Sequence, residues 1–186
     1  MKNEIILALL WICYGIIHSV TASDGVKKAF PSKHYRLIYN LLAIILLLPI
    51  IYFHISMGSK KLMEDSIFNQ LLGGIMMFSG IFVTYLSFKN YDIKEFIGTD
   101  FQSKKQSELT TEGLSEFVRH PLYVGILLFI WGSFGFFATE SYLTTALFSS
   151  IYIRIGIYFE EKKLVEVFGK QYKDYQKNVP MLIPRL

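Results

Sequence analysis

The sequence predicts an all-α, polytopic membrane protein: five transmembrane helices followed by a C-terminal amphipathic helix. Three observations carry this. The 186 residues are 52% hydrophobic with a mean hydropathy of +0.37, too apolar for a soluble domain of this length. Five apolar runs each approach the ~20 residues that cross ~30 Å of hydrocarbon. The connections between them differ sharply in basic content, as membrane topology demands. The whole chain, 1–186, reads as one domain.

The first run covers residues 5–22. Val20-Thr21-Ala22 looks like a signal-peptide cleavage site, but Glu4 follows Lys2 closely and the run carries Trp11, Tyr14 and His18. A retained helix is the better reading. The second run, 37–55, contains Pro49, which predicts a kink. The third, 68–88, holds Gly73, Gly74 and Gly80, small residues suited to close helix contact. The fourth, 121–138, opens on Pro121 in the first helical turn, where its missing N–H costs nothing. Gly125 and Gly132 lie seven residues apart on one of its faces. The fifth run is 142–159.

Five spans put the termini on opposite sides. Fifteen of the 19 basic residues fall in the connections 1–2 and 3–4 and in the tail, against Lys2, Lys60 and Lys61 on the other side. The positive-inside rule then places the N-terminus outside and the C-terminus in the cytoplasm. The net charge of +4 is modest and spread out, so it reads as orientation in a lipid bilayer, with no nucleic acid as partner. A single cysteine, Cys13, allows no intrachain disulfide. No metal site is predicted.

Residues 89–118 form the longest internal polar segment. Phe96 and Phe101 are expected to anchor it at the interface, and Thr110-Thr111-Glu112 to cap a short helix before Gly113. In the tail, 160–186, the stripe Glu161, Leu164, Val165, Phe168, Tyr172 and Tyr175 predicts one amphipathic helix ending at Val179-Pro180.

Polar chemistry concentrates in two places. Arg119 and His120 stand at the mouth of the fourth run. Arg154 lies within the fifth, with Glu160 and Glu161 just beyond it. An ionisable residue inside a span is costly unless paired. Glu161, seven residues on, shares nearly the same face as Arg154. Bland readings exist for each residue: snorkelling for Arg154, a solvated helix for the two glutamates, helix capping for His120, an interface belt for Tyr123.

Taken as a set, Arg119-His120-Pro121-x-Tyr123-x-Gly125, Glu160-Glu161-x-x-Leu164, Phe168-Gly169-x-x-Tyr172-x-x-Tyr175 and Val179-Pro180 resemble the isoprenylcysteine carboxyl methyltransferase and phospholipid methyltransferase superfamily of membrane enzymes. The resemblance covers residues 113–184. Val118 to Gly125 and the ending Val179 to Pro184 are most similar to the methanethiol S-methyltransferase branch, with a looser match from Tyr91-Asp92 to Gln102.

The resemblance implies S-adenosylmethionine as methyl donor. It implies a cofactor site formed by His120, Pro121, Tyr123, Gly125, Glu160 and Glu161. Carboxylates accept hydrogen bonds from ribose hydroxyls or pair with the amino group, and an aromatic face favours the sulfonium. Arg119 and Arg154 are the candidate catalytic residues, suited to pairing with the methionyl carboxylate or an acidic substrate group. The tail helix is expected to fold over the site as a lid. The acceptor is a small or lipophilic molecule entering from the lipid, a thiol or a prenylcysteine carboxylate, with a phospholipid amine also open. A thiol near its reference pKa of ~8.5 is already partly ionised, and a nearby Arg raises that fraction, so no dedicated base is required. The alternative is a non-catalytic membrane helper that retains the scaffold. A channel is disfavoured, because the outer halves of the spans lack polar residues to line a path.

Overall fold

The structure, a computed structural model, describes residues 2–89, 97, 99 and 109–185. All regular elements among them are helices: α1 Lys2–Ala22, α2 Asp24–Ala29, α3 Tyr35–Ser56, α4 Ile67–Phe88, α5 Pro121–Phe137, α6 Glu140–Phe168 and α7 Lys170–Asn178. A 3-10 turn spans Gly113–Glu116. The short helix expected before Gly113 is not seen at residues 109–112; the turn begins at Gly113, whose N–H donates to Glu116 Oε1 at 3.1 Å, and Glu112 precedes it without a side-chain capping bond. The interfacial anchors Phe96 and Phe101, and the match from Tyr91-Asp92 to Gln102, fall outside the described residues.

Helices α1, α3 and α4 are long and apolar enough to cross a membrane. No charged residue interrupts positions 5–22, 37–55 or 68–88, and a helix satisfies its own backbone where water is absent. Their outward faces are bare. In α3 only Ile50 is buried, while Ile44, Ile45, Leu48 and Ile55 are exposed. A helix apolar all round needs lipid or protein against it. Helix α3 runs through Pro49 without a break. Helix α5 is apolar but has 17 residues, about 25 Å of rise.

The fifth predicted run, 142–159, is contained in α6, a continuous helix of 29 residues that carries on to Phe168. The single tail helix expected over 160–186 is therefore divided. Its first part extends α6. Gly169, at φ 55°, ψ −122°, then turns the chain into α7. A side chain disfavours that conformation, and glycine does not. The helix pattern continues across the break, which is why the period does not reveal it.

Helix α1 packs against α3 and α6, α6 against α5, and α5 against α4. The α4–α5 contact is the closest. Gly73 faces Gly132, and Gly80 faces Gly125, so the helices run antiparallel. A Cβ on Gly80 would lie 2.6 Å from Gly125 O and from Phe129 N. One on Gly132 would lie 2.7 Å from Met77 N. Backbone thus meets backbone, as small residues permit between apolar helices. Gly74, expected to share this role, faces only the Phe136 ring at 3.9 Å. At one end of the bundle the loops before α4 and before α6 pair, with Leu62 N–H donating to Ala138 O (2.7 Å) and Glu140 N–H to Lys60 O (3.0 Å). The functional residues gather at the other end.

Candidate functional site

Pro121 occupies the first turn of α5, so the helix starts immediately after His120. His120 holds the N-cap position without a capping bond from its side chain. The imidazole is instead turned toward α6. The backbone here is fixed by the segment after α7: Arg119 N–H donates to Pro180 O at 2.9 Å and His120 N–H to Met181 O at 3.2 Å.

Arg119 closes the arrangement. Its Nε and Nη2 each lie 2.6 Å from Glu161 Oε1. Its Nη1 donates to the carbonyls of Val179 (2.5 Å) and Gln176 (3.2 Å), at the end of α7. Glu161 is also met by His120 Nε2 at 3.2 Å, by the Tyr172 hydroxyl at 3.4 Å and by Gln176 Nε2 at 3.2 Å. Both members of the ion pair are largely buried, with side chains 9% and 14% exposed. Burial alone would raise the Glu161 pKa. Hydrogen bonds from Arg119 and His120, and their charge, outweigh it and hold the carboxyl below the usual carboxylate range. Burial, with the charge of Glu161 behind it, pushes the Tyr172 phenol up.

In a continuous helix, residues 161 and 176 would stand about 22 Å apart. The turn at Gly169 brings them into hydrogen-bond contact. Tyr175 adds a bond from its hydroxyl to Ser115 O at 2.5 Å, tying α7 to the turn before the Arg-His pair.

Glu160 points to the other side of His120. Its Oε2 lies 3.8 Å from His120 Nδ1. That oxygen is shielded from solvent and has no hydrogen-bond partner among the described residues. Glu160 lines an open cavity of about 1190 Å³. Tyr123 joins the wall from α5, Tyr152, Gly156 and Phe159 from α6, His18 from α1 and Tyr39 from α3. Its rim is charged, with Lys27, Lys33, Arg36, Lys162 and Lys163 beside Asp24 and Glu166.

The structure thus brings Arg119, His120, Pro121 and Glu161 together behind the wall, and sets Tyr123 and Glu160 on it. It does not bring in the other two predicted residues. Gly125 lies in the α4 crossing, where a Cβ would come within 2.8 Å of Gly80 O. Arg154 is exposed on α6 and absent from the cavity wall. Glu161, which shares nearly the same face of α6 in sequence, is held by Arg119.

Sequence reasoning missed one feature of the wall. His18 is met by two phenols: Tyr39 Oη lies 2.7 Å from its Nε2 and 3.0 Å from its Nδ1, and Tyr152 Oη bonds its Nδ1. The Tyr14 ring lies one turn away, tilted by 31° and 5.5 Å distant between ring centroids. The available signal was polar aromatic residues at i, i+4 spacing, Tyr14 with His18 and Tyr35 with Tyr39, near the same end of apolar runs.

A family model described as phospholipid methyltransferase matches residues 68–171. The chain is 51% identical over 73 residues to a methanethiol S-methyltransferase of Pseudomonas deceptionensis, a match covering 39% of this chain and 27% of that protein. It is 31% identical over 189 residues to methanethiol S-methyltransferase 2 of Bradyrhizobium diazoefficiens, covering 96% and 72%. Over 83 residues it is 39% identical to a protein-S-isoprenylcysteine O-methyltransferase of Schizosaccharomyces pombe, covering 43% and 34%. The chain therefore spans about a quarter of the first relative, about three quarters of the second and a third of the third. No solved structure matches it.

Proposed function

The chain belongs to the phospholipid methyltransferase family, and from that premise we propose that it is an integral membrane methyltransferase that transfers the methyl group of S-adenosylmethionine to a small thiol. Two relatives of the chain carry methanethiol S-methyltransferase in their names. A prenylcysteine carboxylate, the acceptor named for the third relative, is the competing substrate.

The observation that carries the reading is the Glu160 carboxylate, its side chain 43% exposed on the wall of a large cavity and backed by the His120–Glu161–Arg119 cluster. An ionised carboxylate only accepts hydrogen bonds, so one on a cavity wall fits a ligand rich in donors. The ribose hydroxyls and the amino group of S-adenosylmethionine are such donors. The Tyr123 ring offers an aromatic face to a cation. These residues fit the donor molecule. When bound, it supplies an electrophilic methyl group on a sulfonium.

The protein's part is positional. Arg119 holds the start of α5, the end of α6 and the end of α7 in one unit, so that Tyr123 and Glu160 face the cavity from fixed backbones. His120, between the two glutamates, orients Glu160. The walls exclude water while the reactants align, which supplies most of the help an intrinsically reactive donor needs.

We place α1, α3, α4, α5 and α6 across the membrane as five spans of one domain, with the N-terminus outside and the cavity and C-terminus at the cytoplasmic face. The basic rim of the cavity supports that orientation. A water-soluble donor then enters from the cytoplasm and a lipophilic acceptor from the bilayer. Arg154, exposed on α6, is assigned to the inner headgroups.

The test is methyl transfer in lipid vesicles. Purified protein is given methyl-labelled S-adenosylmethionine and an alkanethiol, with a prenylcysteine and a phospholipid amine in parallel. Label in the thioether is the expected result. Label in none of the three products would support the non-catalytic helper instead.

A further inference from the structure

The geometry points to His18 as the base that takes the proton of the acceptor, and hence to a thiol as the acceptor class; this rests on the methyltransferase reading above. The argument begins with what each acceptor requires. A carboxylate is ionised at neutral pH and attacks without losing a proton. A thiol is only a few per cent thiolate at pH 7. Its S-methylation forms a sulfur–carbon bond, breaks the carbon–sulfonium bond with the electron pair left on the donor sulfur, and sets one proton free. A base on the cavity wall is superfluous for the first acceptor and useful for the second.

His18 is such a group. It lines the same cavity as Tyr123 and Glu160, yet it reaches the wall from α1, outside the Arg119 cluster. Two phenol oxygens lie against the ring: Tyr39 Oη is 2.7 Å from Nε2 and 3.0 Å from Nδ1, and Tyr152 Oη bonds Nδ1. In a neutral imidazole one nitrogen donates and the other accepts. A phenol beside the unprotonated nitrogen donates to it. The donating phenol takes the thiol proton as it passes its own to the imidazole. The net result is a thioether, an imidazolium at His18 and unchanged tyrosines. The open mouth of the cavity then returns the proton to water.

The groups facing the ring suit this role. They are Tyr14 from its own helix, Tyr39 from α3 and Tyr152 from α6. No carboxylate or ammonium pairs with His18 among the described residues. The charged groups of the cavity (Asp24 and Lys27 from α2, Lys33 and Arg36 before and within α3, Glu160, Lys162, Lys163 and Glu166 from α6) share its space without a bond to the ring. The imidazole is thus oriented but not committed to an ion pair. A purely structural role would need the hydrogen bonds and not the basicity.

His18→Gln separates the two, since it keeps a hydrogen-bonding group and removes the titrating one; Tyr152→Phe is the second variant. Calorimetric titration with S-adenosylhomocysteine is followed by pH–rate profiles for transfer to an alkanethiol and to a more acidic aryl thiol. We expect H18Q to bind S-adenosylhomocysteine within twofold of wild type. Its rate with the alkanethiol should fall about 100-fold, its profile should lose the imidazole limb, and the loss with the aryl thiol should be much smaller. Y152F should reproduce this pattern more weakly. An unchanged rate and profile in H18Q would overturn the inference alone. So would equal losses with both thiols accompanied by weaker S-adenosylhomocysteine binding, the mark of a structural role. Failure of the wild-type protein to bind S-adenosylhomocysteine would overturn the methyltransferase reading and this inference with it.

Discussion

Arg119 and Glu161 are joined through a single carboxylate oxygen, with two guanidinium nitrogens each 2.6 Å from Glu161 Oε1. The residues are 42 positions apart in sequence. The third guanidinium nitrogen holds the carbonyls at the end of α7. One side chain thus ties the start of α5, the end of α6 and the returning tail into the unit that backs the cavity.

Removing one partner strands a buried charge. Glu161→Ala is expected to destabilise the protein by roughly 3 kcal/mol, the scale for breaking a buried pair. Glu161→Gln should cost less, because it keeps an acceptor for Arg119. Thermal unfolding in detergent ranks the two; equal losses would contradict the contribution of the retained acceptor.

The same pair predicts a response to acid. The Glu161 pKa is lower folded than its ordinary value of 4.5. Its contribution is therefore fully present above about pH 4.5, declines as the pH falls below that value, and is gone below the folded pKa. Melting temperature against pH should drop more steeply in wild type than in Glu161→Gln over that acidic window. Parallel curves would remove Glu161 as the cause.

The α4–α5 crossing makes a local prediction. Gly80→Ala places a methyl 2.6 Å from the backbone of α5 and should destabilise by roughly 1–3 kcal/mol through overpacking. Gly74→Ala, with its nearest neighbour a ring atom at 3.9 Å, should be neutral or gain up to about 1 kcal/mol from lost chain freedom. Unfolding measurements on the two variants check the contrast.

Gly169 carries the turn that returns α7 to Glu161. A Cβ there would meet nothing within 4 Å, so any cost is conformational. Gly169→Ala should lose about 1–3 kcal/mol and loosen the tail. Faster proteolysis near Gly169 is the expected signature, and wild-type cleavage rates would contradict it.

Much of the site was legible in the sequence. Arg119-His120 and Glu160-Glu161 are adjacent pairs at the ends of apolar runs, and helix ends on one side of a bundle must meet. Tyr123 follows from its place one turn into α5. The face shared by Arg154 and Glu161 did not reveal the partner of Glu161: helical spacing shows which residues share a face, but Arg119 reaches Glu161 from another element. The break at Gly169 was hidden because the stripe continues across it. The His18–Tyr39–Tyr152 group was not legible, since its members come from three helices whose neighbours only packing determines.

The most direct measurement is calorimetric titration of the purified protein with S-adenosylhomocysteine, in wild type and in Glu160→Gln. Glu160 faces the cavity and is not part of the Arg119 lock, so the substitution alters the wall and spares the frame. Micromolar binding by the wild type, weakened at least tenfold in a variant of unchanged melting temperature, is the predicted result. Equal affinity in the two proteins would contradict the assignment of Glu160 to the cofactor site, and no binding by folded wild-type protein would contradict the methyltransferase account itself.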